Sequence, residues 1–279
     1  MGKILQYTEV EGIKCYSLEE ASRYGDYPSD GFDITDKLEA ESFWVSSRNR
    51  LLKKIIIKYS KDFKKPKYLE IGCGTGTFIR ALAASGSMDI TGSEIYLNGL
   101  FYAKRKKLPN VEFIQFDASM GVLPEKFDMV AAFDVLEHIN DDVSAIFNVA
   151  QMVNDDGYFI LTVPQHMFLS SNLDEIVKHK RRYSRKEMIT KLKQQGFSIR
   201  YSSSFLFVLF PMMLVSRILD RSEKVDESAS TAELENRVTF SKPLNWIFDN
   251  LMKIDEALID LGISLPFGGS LLVVAQKKK

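Results

Sequence analysis

The strongest constraint in this sequence is the stretch Tyr-Leu-Glu-Ile-Gly-Cys-Gly-Thr-Gly at residues 68–76, where three glycines alternate behind an apolar run. Apolar residues with helical spacing follow at Phe78, Ile79 and Leu82. This order predicts a strand, a tight turn and a helix, the start of a βαβ unit that can hold a nucleotide-like ligand. Glycine suits such a turn because it adopts positive φ angles and has no Cβ to obstruct a ligand.

The glycine pattern differs from the dinucleotide fingerprint. Its form is E-x-G-x-G-x-G, and Thr77 stands where the fingerprint G-x-G-x-x-G has its last glycine. A pyrophosphate needs a helix N-terminus that faces it directly. The acidic residue beside the turn, Glu70, favours instead a ligand that presents an amine.

Strand and helix patterns alternate through the middle of the chain. Strands are predicted at 89–94, 111–116, 127–133, 158–163 and 197–203, with helices at 96–107, 140–153 and 184–195. A last strand at 270–275 follows a long insertion. This alternation predicts an α/β domain with a doubly wound, mostly parallel sheet.

The glycine motif, together with Glu94, Asp117 and the segment Asp-Val-Leu-Glu-His at 134–138, resembles class I S-adenosylmethionine-dependent methyltransferases. The resemblance covers residues 68–204 well. It implies a seven-stranded Rossmann-like sheet whose last strand runs antiparallel between the fifth and the sixth. It also implies S-adenosyl-L-methionine as the cofactor. The basic cluster at 178–183 is similar to one in methyltransferases of bacterial surface-glycan and lipid pathways.

The sequence predicts four parts. They are an N-terminal arm and helix at 1–60, a cofactor-binding core at 61–204, a helical insertion or lid at 205–268, and a last strand with its tail at 269–279. The N-terminal part is mixed and turn-rich up to residue 36 and then takes on helical spacing. We therefore expect one domain with a substantial insertion.

The insertion begins with an unbroken apolar run at 205–215, which is too short to cross a bilayer. This run favours a buried helix that covers the active site. The alternative is a surface at 205–219 that dips into a membrane interface or takes a lipid-linked substrate. The polar stretch at 222–236 predicts a mobile loop, and the spacing at 243–262 predicts an amphipathic helix.

Charge and cysteine content limit the class of partner and the compartment. Lys+Arg and Asp+Glu both number 37, and nucleic-acid binding normally needs a basic face, so we expect no nucleic-acid partner. The two cysteines, Cys15 and Cys73, make no disulfide framework, and the first twelve residues are too polar for a signal peptide. These features predict a cytoplasmic protein.

Glu94 ends the second predicted strand, where an acidic side chain can accept both hydroxyl hydrogens of a ribose. The methyltransferase resemblance implies that Asp117 receives the adenine amine and that Ala118 offers its backbone N–H to the ring. It also implies that Glu70 and Asp134 face the methionine part of the cofactor. The predicted cofactor-binding residues are Glu70, Gly72, Cys73, Gly74, Gly76, Glu94, Ile95, Asp117, Ala118 and Asp134.

His138 is the candidate catalytic residue. Histidine can accept a proton near neutral pH, so His138 is a candidate general base. The alternative is a structural histidine that caps the following helix, and the sequence leaves both open. From the N-terminal helix, Arg48 or Arg50 could reach the cofactor carboxylate.

The candidate substrate residues follow the fifth predicted strand. They are His166, Arg181, Arg182 and Tyr183, interpreted as a clamp for an anionic group, with a solvated basic turn as the alternative. The three histidines, at 138, 166 and 179, are far apart in sequence and no cysteine pair accompanies them. We therefore predict no metal site.

The predicted reaction is in-line transfer of a methyl group to a small-molecule, sugar or lipid-linked acceptor. Proximity and exclusion of water would supply most of the catalysis. Two other classes of function remain open. One is a nicotinamide-dependent oxidoreductase, which Thr77 disfavours. The other is a non-catalytic protein that binds S-adenosylmethionine.

Overall fold

The computed structural model of the protein describes residues 2–21, 42–220 and 239–279. Within them nine strands form one sheet: β1 (Thr8–Val10), β2 (Ile13–Cys15), β3 (Lys67–Ile71), β4 (Asp89–Glu94), β5 (Val111–Gln115), β6 (Phe127–Phe133), β7 (Val153–Pro164), β8 (Phe197–Phe205) and β9 (Ser270–Lys277). The α-helices are α1 (Leu18–Ala21), α2 (Phe43–Ser60), α3 (Thr77–Ala83), α4 (Leu97–Arg105), α5 (Asp142–Met152), α6 (Asn172–Ile176), α7 (Arg185–Gln194), α8 (Phe210–Asp220) and α9 (Lys242–Asp260).

The strand order is β1-β2-β5-β4-β3-β6-β7-β9-β8. Strands β5, β4, β3, β6 and β7 pair in parallel, and β9 lies antiparallel between β7 and β8. This confirms the mostly parallel, doubly wound sheet and the place of the last strand. Parallel neighbours bring their carboxyl ends to one edge, so the loops that follow β3, β4, β5 and β6 meet there.

The predicted number of seven strands is wrong, because the described sheet has nine. The extra strands, β1 and β2, form a hairpin that turns at Gly12 (φ +72°) and adds β2 in parallel to the edge strand β5. Each has only three residues, which is too short for a two-residue period to stand out. The N-terminal arm therefore contributes directly to the sheet.

The strand β7 also begins earlier than predicted. It starts at Val153, which pairs with Phe127, so the polar residues before Gly157 belong to the strand. The pairing register shifts between Phe127 and Met129, as in a β-bulge.

Two apolar cores lie on the two faces of the sheet. One contains Ile146 of α5 and Leu192 of α7, and the other contains Ile56 of α2 and Ile79 of α3. The middle strands are buried on both faces, and Val130 of β6 is fully covered. This is why these strands are almost wholly apolar in sequence.

The N-terminal helix α2 packs along the insertion helix α9. In α9, Glu256 accepts hydrogen bonds from Ser47 Oγ (2.9 Å) and Arg50 Nη2 (2.7 Å), and Asn245 accepts one from the Phe43 N–H (2.8 Å). Two segments that are far apart in sequence thus form one helical layer over the sheet.

The prediction of a buried helix at 205–215 is wrong. Phe205 belongs to β8, and the helix α8 starts at Phe210. Its apolar side chains Met212, Val215 and Leu219 are 45%, 57% and 64% exposed. They recur every three to four residues and therefore form one stripe on the outer face of the helix. A run of apolar residues does not indicate which face of a helix packs against the rest of the protein.

None of the helices in the described part of the chain is long and apolar enough to cross a membrane. The predicted loop at 222–236 and the turn-rich stretch at 22–36 of the N-terminal arm lie outside the described residues.

Candidate active site

The glycine turn lies where β3 ends. Gly72, Gly74 and Gly76 have φ angles of +74°, +52° and +75°, which L-residues with a side chain rarely adopt. A Cβ on Gly72 would lie 2.4 Å from Val135 Cγ2, whereas a Cβ on Gly74 would meet no described atom within 4 Å. The backbone needs glycine at all three positions, and beside Gly74 there is open space for a ligand.

Glu94, at the end of β4, holds this turn in place. Its Oε2 accepts the Gly74 N–H (3.0 Å), and its Oε1 accepts the N–H groups of Ile95 (2.8 Å) and Tyr96 (3.2 Å). Burial raises the pKa of Glu94, although these three backbone donors act in the opposite direction. Glu94 and Ile95 therefore lie at the turn, and Glu94 links two neighbouring strand ends.

Glu70 lies in β3 just before the turn, and Cys73 lies within the turn. Both are buried, and Tyr68 donates its hydroxyl hydrogen to Glu70 Oε2 (3.0 Å). Burial and the neighbouring Glu70 raise the pKa of Tyr68 well above its usual value. The phenol thus remains protonated and orients the Glu70 carboxylate.

Asp117 follows β5 at the same edge. Its Oδ1 accepts the N–H and Oγ–H of Ser119 (2.8 and 2.7 Å), while its buried Oδ2 has no hydrogen-bond partner among the described residues. Buried carboxylate oxygens are normally paired, so this one is suited to a donor supplied by a ligand. The adjacent Ala118 is buried, and its carbonyl accepts a hydrogen bond from Asn148 Nδ2 (2.9 Å).

The N-terminal segment contributes a residue that the sequence interpretation missed. Ser17 donates its N–H to Gln115 Oε1 (2.8 Å) and accepts the Asp117 N–H on its Oγ (3.2 Å). These bonds place the segment after β2 against the end of β5. Only a weak sequence signal, the polar Gln115 in a buried strand, points to this contact.

Asp134 directly follows β6 and has a φ of +56°, a strained conformation for a residue with a side chain. Its Oδ1 accepts the Thr162 hydroxyl (3.1 Å), and its Oδ2 lies 3.1 Å from Arg48 Nε. Arg50, the other candidate arginine, instead pairs with Glu256 and Asp249 of α9. The structure therefore brings Arg48 to the site and gives Arg50 a role in packing.

His138 ends a short 3₁₀ helix (Leu136–His138) just after Asp134. Burial and the nearby His179 lower its pKa to about 4, so its ring is neutral at pH 7 and is a weak proton acceptor. His138 does not cap the following helix, because Asp141 is the N-cap residue of α5 and accepts the Ser144 N–H (3.0 Å). The sequence interpretation assigned no role to the neighbouring Glu137, which is fully buried.

The predicted clamp residues at 181–183 make internal contacts. Tyr183 is fully buried and donates its hydroxyl hydrogen to Asp142 Oδ2 (2.7 Å). Arg181 Nη1 lies 3.3 Å from Asp142 Oδ1, and Arg182 Nη2 lies 2.9 Å from Asp174 Oδ1. These contacts support a structural role for the cluster and leave its assignment to substrate a prediction.

His166 adjoins this cluster two residues after β7, and its backbone N–H donates to the Tyr183 carbonyl oxygen (3.0 Å). Its φ is +64°, its ring stacks on Phe168 (5.0 Å between centroids), and Phe210 of α8 lies 6.3 Å away. Burial, then Arg182 and Arg185, lower its pKa. Its buried Nε2 has no hydrogen-bond partner in the part of the chain that the structure describes. His166 is thus a polar group set among aromatic rings at the active-site edge.

Comparison with known proteins identifies the family. A family model described as a methyltransferase domain matches residues 44–202, more than half of the chain. The chain therefore belongs to this methyltransferase family, whose cofactor is S-adenosyl-L-methionine. The glycine turn, Glu94, Asp117 and Asp134 all lie inside the matched region.

Two curated relatives are ubiquinone biosynthesis O-methyltransferases from two strains of Pseudomonas fluorescens. Each is 35% identical over 83 residues, which cover 28% of this chain and 35% of the relative. The match thus spans about a third of the length of these relatives.

Solved structures share the fold at low identity. One is a phosphoethanolamine N-methyltransferase 2 from Haemonchus contortus in complex with S-adenosyl-L-methionine, with a TM-score of 0.60 at 18% identity. The match covers 94% of this chain and 60% of the Haemonchus contortus chain. The [4+2]-cyclase SpnF has a TM-score of 0.61 at 15% identity and covers 94% and 97%. Because one of these two is named a cyclase, likeness at this level shows the fold alone.

Proposed function

We propose that this protein transfers the methyl group of S-adenosylmethionine to an oxygen of an acceptor that has an apolar, lipid-like part. The proposal rests on the groups at the carboxyl ends of three neighbouring strands, β3, β4 and β5. Glu94 Oε2 accepts the Gly74 N–H (3.0 Å) beside open space. After β5, the buried Asp117 Oδ2 has no hydrogen-bond partner among the described residues. These groups fit a nucleoside at the carboxyl edge of a doubly wound sheet.

Within this proposal each residue has a distinct task. Glu94 binds the ribose hydroxyls, and Asp117 Oδ2 accepts the adenine amine. Glu70 and Asp134 face the methionine amine, and Arg48 pairs with its carboxylate. The cofactor supplies an electrophilic methyl group on a sulfonium, so the protein mainly aligns the acceptor and excludes water.

The acceptor side of the proposal rests on aromatic and apolar side chains. Rings of Phe207, Phe210 and Phe267 pack at 4.8–5.1 Å between centroids, and His166 joins this group through Phe210. Next to them, Phe168 is 55% exposed. A cluster of aromatic side chains after β7 and β8, beside the proposed cofactor edge, favours an acceptor with an apolar portion over a bare sugar.

A peripheral membrane contact through 205–219 forms part of the proposal. The exposed stripe of Met212, Val215 and Leu219 supports it, because apolar side chains on one helix face can enter a bilayer interface. A lipid-linked acceptor would then reach the site from the membrane surface. The curated relatives act, by their names, in ubiquinone biosynthesis, which is in keeping with an apolar acceptor.

The test is transfer of label from radiolabelled S-adenosylmethionine to separated bacterial lipid and glycan fractions. We expect label in the lipid fraction, in a product that is stable to mild base as an ether is. Label in the glycan fraction alone would contradict the lipid-like acceptor. Tight binding of S-adenosylhomocysteine without label in any fraction would favour a non-catalytic protein. In calorimetry NADH is expected not to bind, and binding would favour the oxidoreductase alternative.

Changing Glu94 to alanine is expected to weaken S-adenosylmethionine binding by about 1–3 kcal/mol, the usual loss for charge-assisted hydrogen bonds. The variant loses the proposed ribose contact and leaves the Gly74 N–H without its acceptor. Calorimetry measures the change. Glu112→Ala is the matched control, because among the described residues Glu112 forms an exposed ion pair with Lys14, and the affinity of this variant for S-adenosylmethionine should equal that of the unmodified protein. Equal affinities for all three proteins would place the ribose elsewhere.

Arg48 and Arg50 provide a second comparison. Arg48→Ala is expected to weaken cofactor binding by about 1.5–3 kcal/mol, because it removes a charged partner of the methionine end. Arg50→Ala should leave affinity unchanged and lower the thermal unfolding midpoint, because it leaves the buried Glu256 without its cation. The reverse pattern in binding and melting experiments would show that Arg50 is the residue at the cofactor.

A further inference from the structure

Three potential metal ligands meet beside the strained Asp134. They are Glu137 and His138 of the short 3₁₀ helix and His179, which follows α6. One ligand atom from each lies within 4.8 Å of the others. Glu137 Oε1 is 3.8 Å from His179 Nε2, and the centroids of the two histidine rings are 4.9 Å apart. Two histidines that are distant in sequence are thus neighbours in the fold.

The Glu137 carboxylate is buried without a partner. Its side chain has no exposed surface, and neither of its oxygens has a hydrogen-bond partner among the described residues. The nearby cations are already used, since Arg182 pairs with Asp174 and Arg48 with Asp134. Burying a carboxylate without a partner is costly, so a ligand that meets these oxygens would lower the free energy of the folded state.

Hydrogen bonds orient the imidazole of His179 toward Glu137. His179 Nδ1 lies 2.8 Å from Asp174 Oδ1, so this nitrogen carries the hydrogen and the lone pair of Nε2 faces Glu137. Arg182 in turn holds Asp174 through its Nε (2.9 Å). A carboxylate behind a histidine is the arrangement that fixes metal-binding imidazoles in many sites.

The His138 ring is in direct contact with the His179 ring. The two rings meet edge to face, with 4.9 Å between their centroids. The loop from 174 to 179 therefore places His179 beside His138 and orients it through Asp174. The side chain of His179 is 18% exposed, so an ion can reach the cluster from solvent.

We propose that Glu137, His138 and His179 bind one divalent transition-metal ion, for which Zn²⁺ is the best-suited candidate. Two imidazole nitrogens and one carboxylate form the His₂Glu set of open zinc sites, whereas Mg²⁺ and Ca²⁺ prefer oxygen ligands. Tetrahedral zinc would hold these atoms roughly 3.3 Å apart, so they would close by about 1.5 Å or less.

Three protein ligands leave a coordination position for water or for an acceptor oxygen. Because Asp134 and Glu137 lie in the same short segment, an ion here would be next to the methionine end of the cofactor. This use of the ion rests on the proposed function, whereas ion binding itself does not.

The test is a titration of chelator-treated protein with Zn²⁺, followed by calorimetry and by competition with a colorimetric indicator. We expect about one ion per chain and a higher thermal unfolding midpoint in its presence. Glu137→Gln and His179→Ala should lose this binding, and Asp174→Asn should weaken it by about 10–100-fold. His166→Ala is the matched control, because it removes the histidine outside the cluster and should bind Zn²⁺ as the unmodified protein does.

Equal Zn²⁺ affinity in the unmodified protein, Glu137→Gln and His179→Ala would overturn the inference, as would binding of Mg²⁺ but not Zn²⁺. Circular dichroism and thermal unfolding report whether each variant folds. If Glu137→Gln does not fold, the Zn²⁺ affinity of His179→Ala decides the test, because this variant changes a partly exposed side chain. If the protein binds Zn²⁺ but not S-adenosylmethionine, the metal site stands and the proposed function is wrong. If it binds S-adenosylmethionine but not Zn²⁺, only the metal site is wrong.

Discussion

Replacing Gly74 with valine is expected to abolish S-adenosylmethionine binding while the protein stays folded. The expected fall in affinity is roughly 100-fold or more, which corresponds to about 2.7 kcal/mol or more. The reason is steric, because a Cβ on Gly74 meets no described protein atom within 4 Å and so points into the space left for the ligand. Calorimetry measures the affinity, and thermal unfolding measures the cost to stability.

Gly86→Val is the matched control for this variant. Gly86 also has a positive φ, of +65°, and open space around its Cβ position among the described residues, but it lies at the opposite edge of the sheet, between α3 and β4. Both variants therefore carry a similar backbone strain. If Gly86→Val weakens cofactor binding as much as Gly74→Val does, the strain rather than the lost space is responsible, and the site assignment fails.

Asp142→Ala is expected to destabilise the fold by about 3–5 kcal/mol, because it removes two hydrogen bonds to a buried carboxylate, and hydrogen bonds to charged groups contribute about 1.5–3 kcal/mol each. Asp142 is 2% exposed and accepts bonds from Tyr183 (2.7 Å) and Lys191 (2.5 Å), with Arg181 at 3.3 Å. This network joins α5, α7 and the basic cluster. Chemical denaturation measures the free energy of unfolding.

The adjacent aspartate gives the comparison. Asp141→Ala removes only the N-cap of α5 and should cost about 1 kcal/mol. Tyr183→Phe removes one hydrogen bond of the network and should cost about as much, with cofactor affinity unchanged. If Tyr183→Phe impaired methyl transfer without a change in stability, Tyr183 would contact the substrate, as the sequence interpretation predicted.

Much of the cofactor edge was predictable because its signals are local. Glycines at alternate positions after an apolar run indicate positive φ, and all three have it. Glu94, Asp117 and Asp134 each follow a strand, and strand ends in a parallel sheet share one edge. Spacing along the chain was therefore enough to bring them together.

One assignment failed because it depends on packing between distant segments. The apolar run at 205–215 looked like a buried helix, but its stripe at Val215 faces outward. The substrate role of Tyr183 stays a prediction, and the sequence did not indicate that its ring is fully buried. Residue type alone does not reveal which face of an element the rest of the protein covers.

The sequence by itself determined the fold class, the glycine turn and the edge of the sheet where a cofactor can bind, since these depend on backbone period and φ preferences of neighbouring residues. Only the tertiary structure decided that Arg48 rather than Arg50 approaches Asp134, and that His179 meets Glu137 and His138. These contacts depend on how the helical layer and the loop after β7 pack onto the sheet. The positions of these residues along the chain do not indicate that packing.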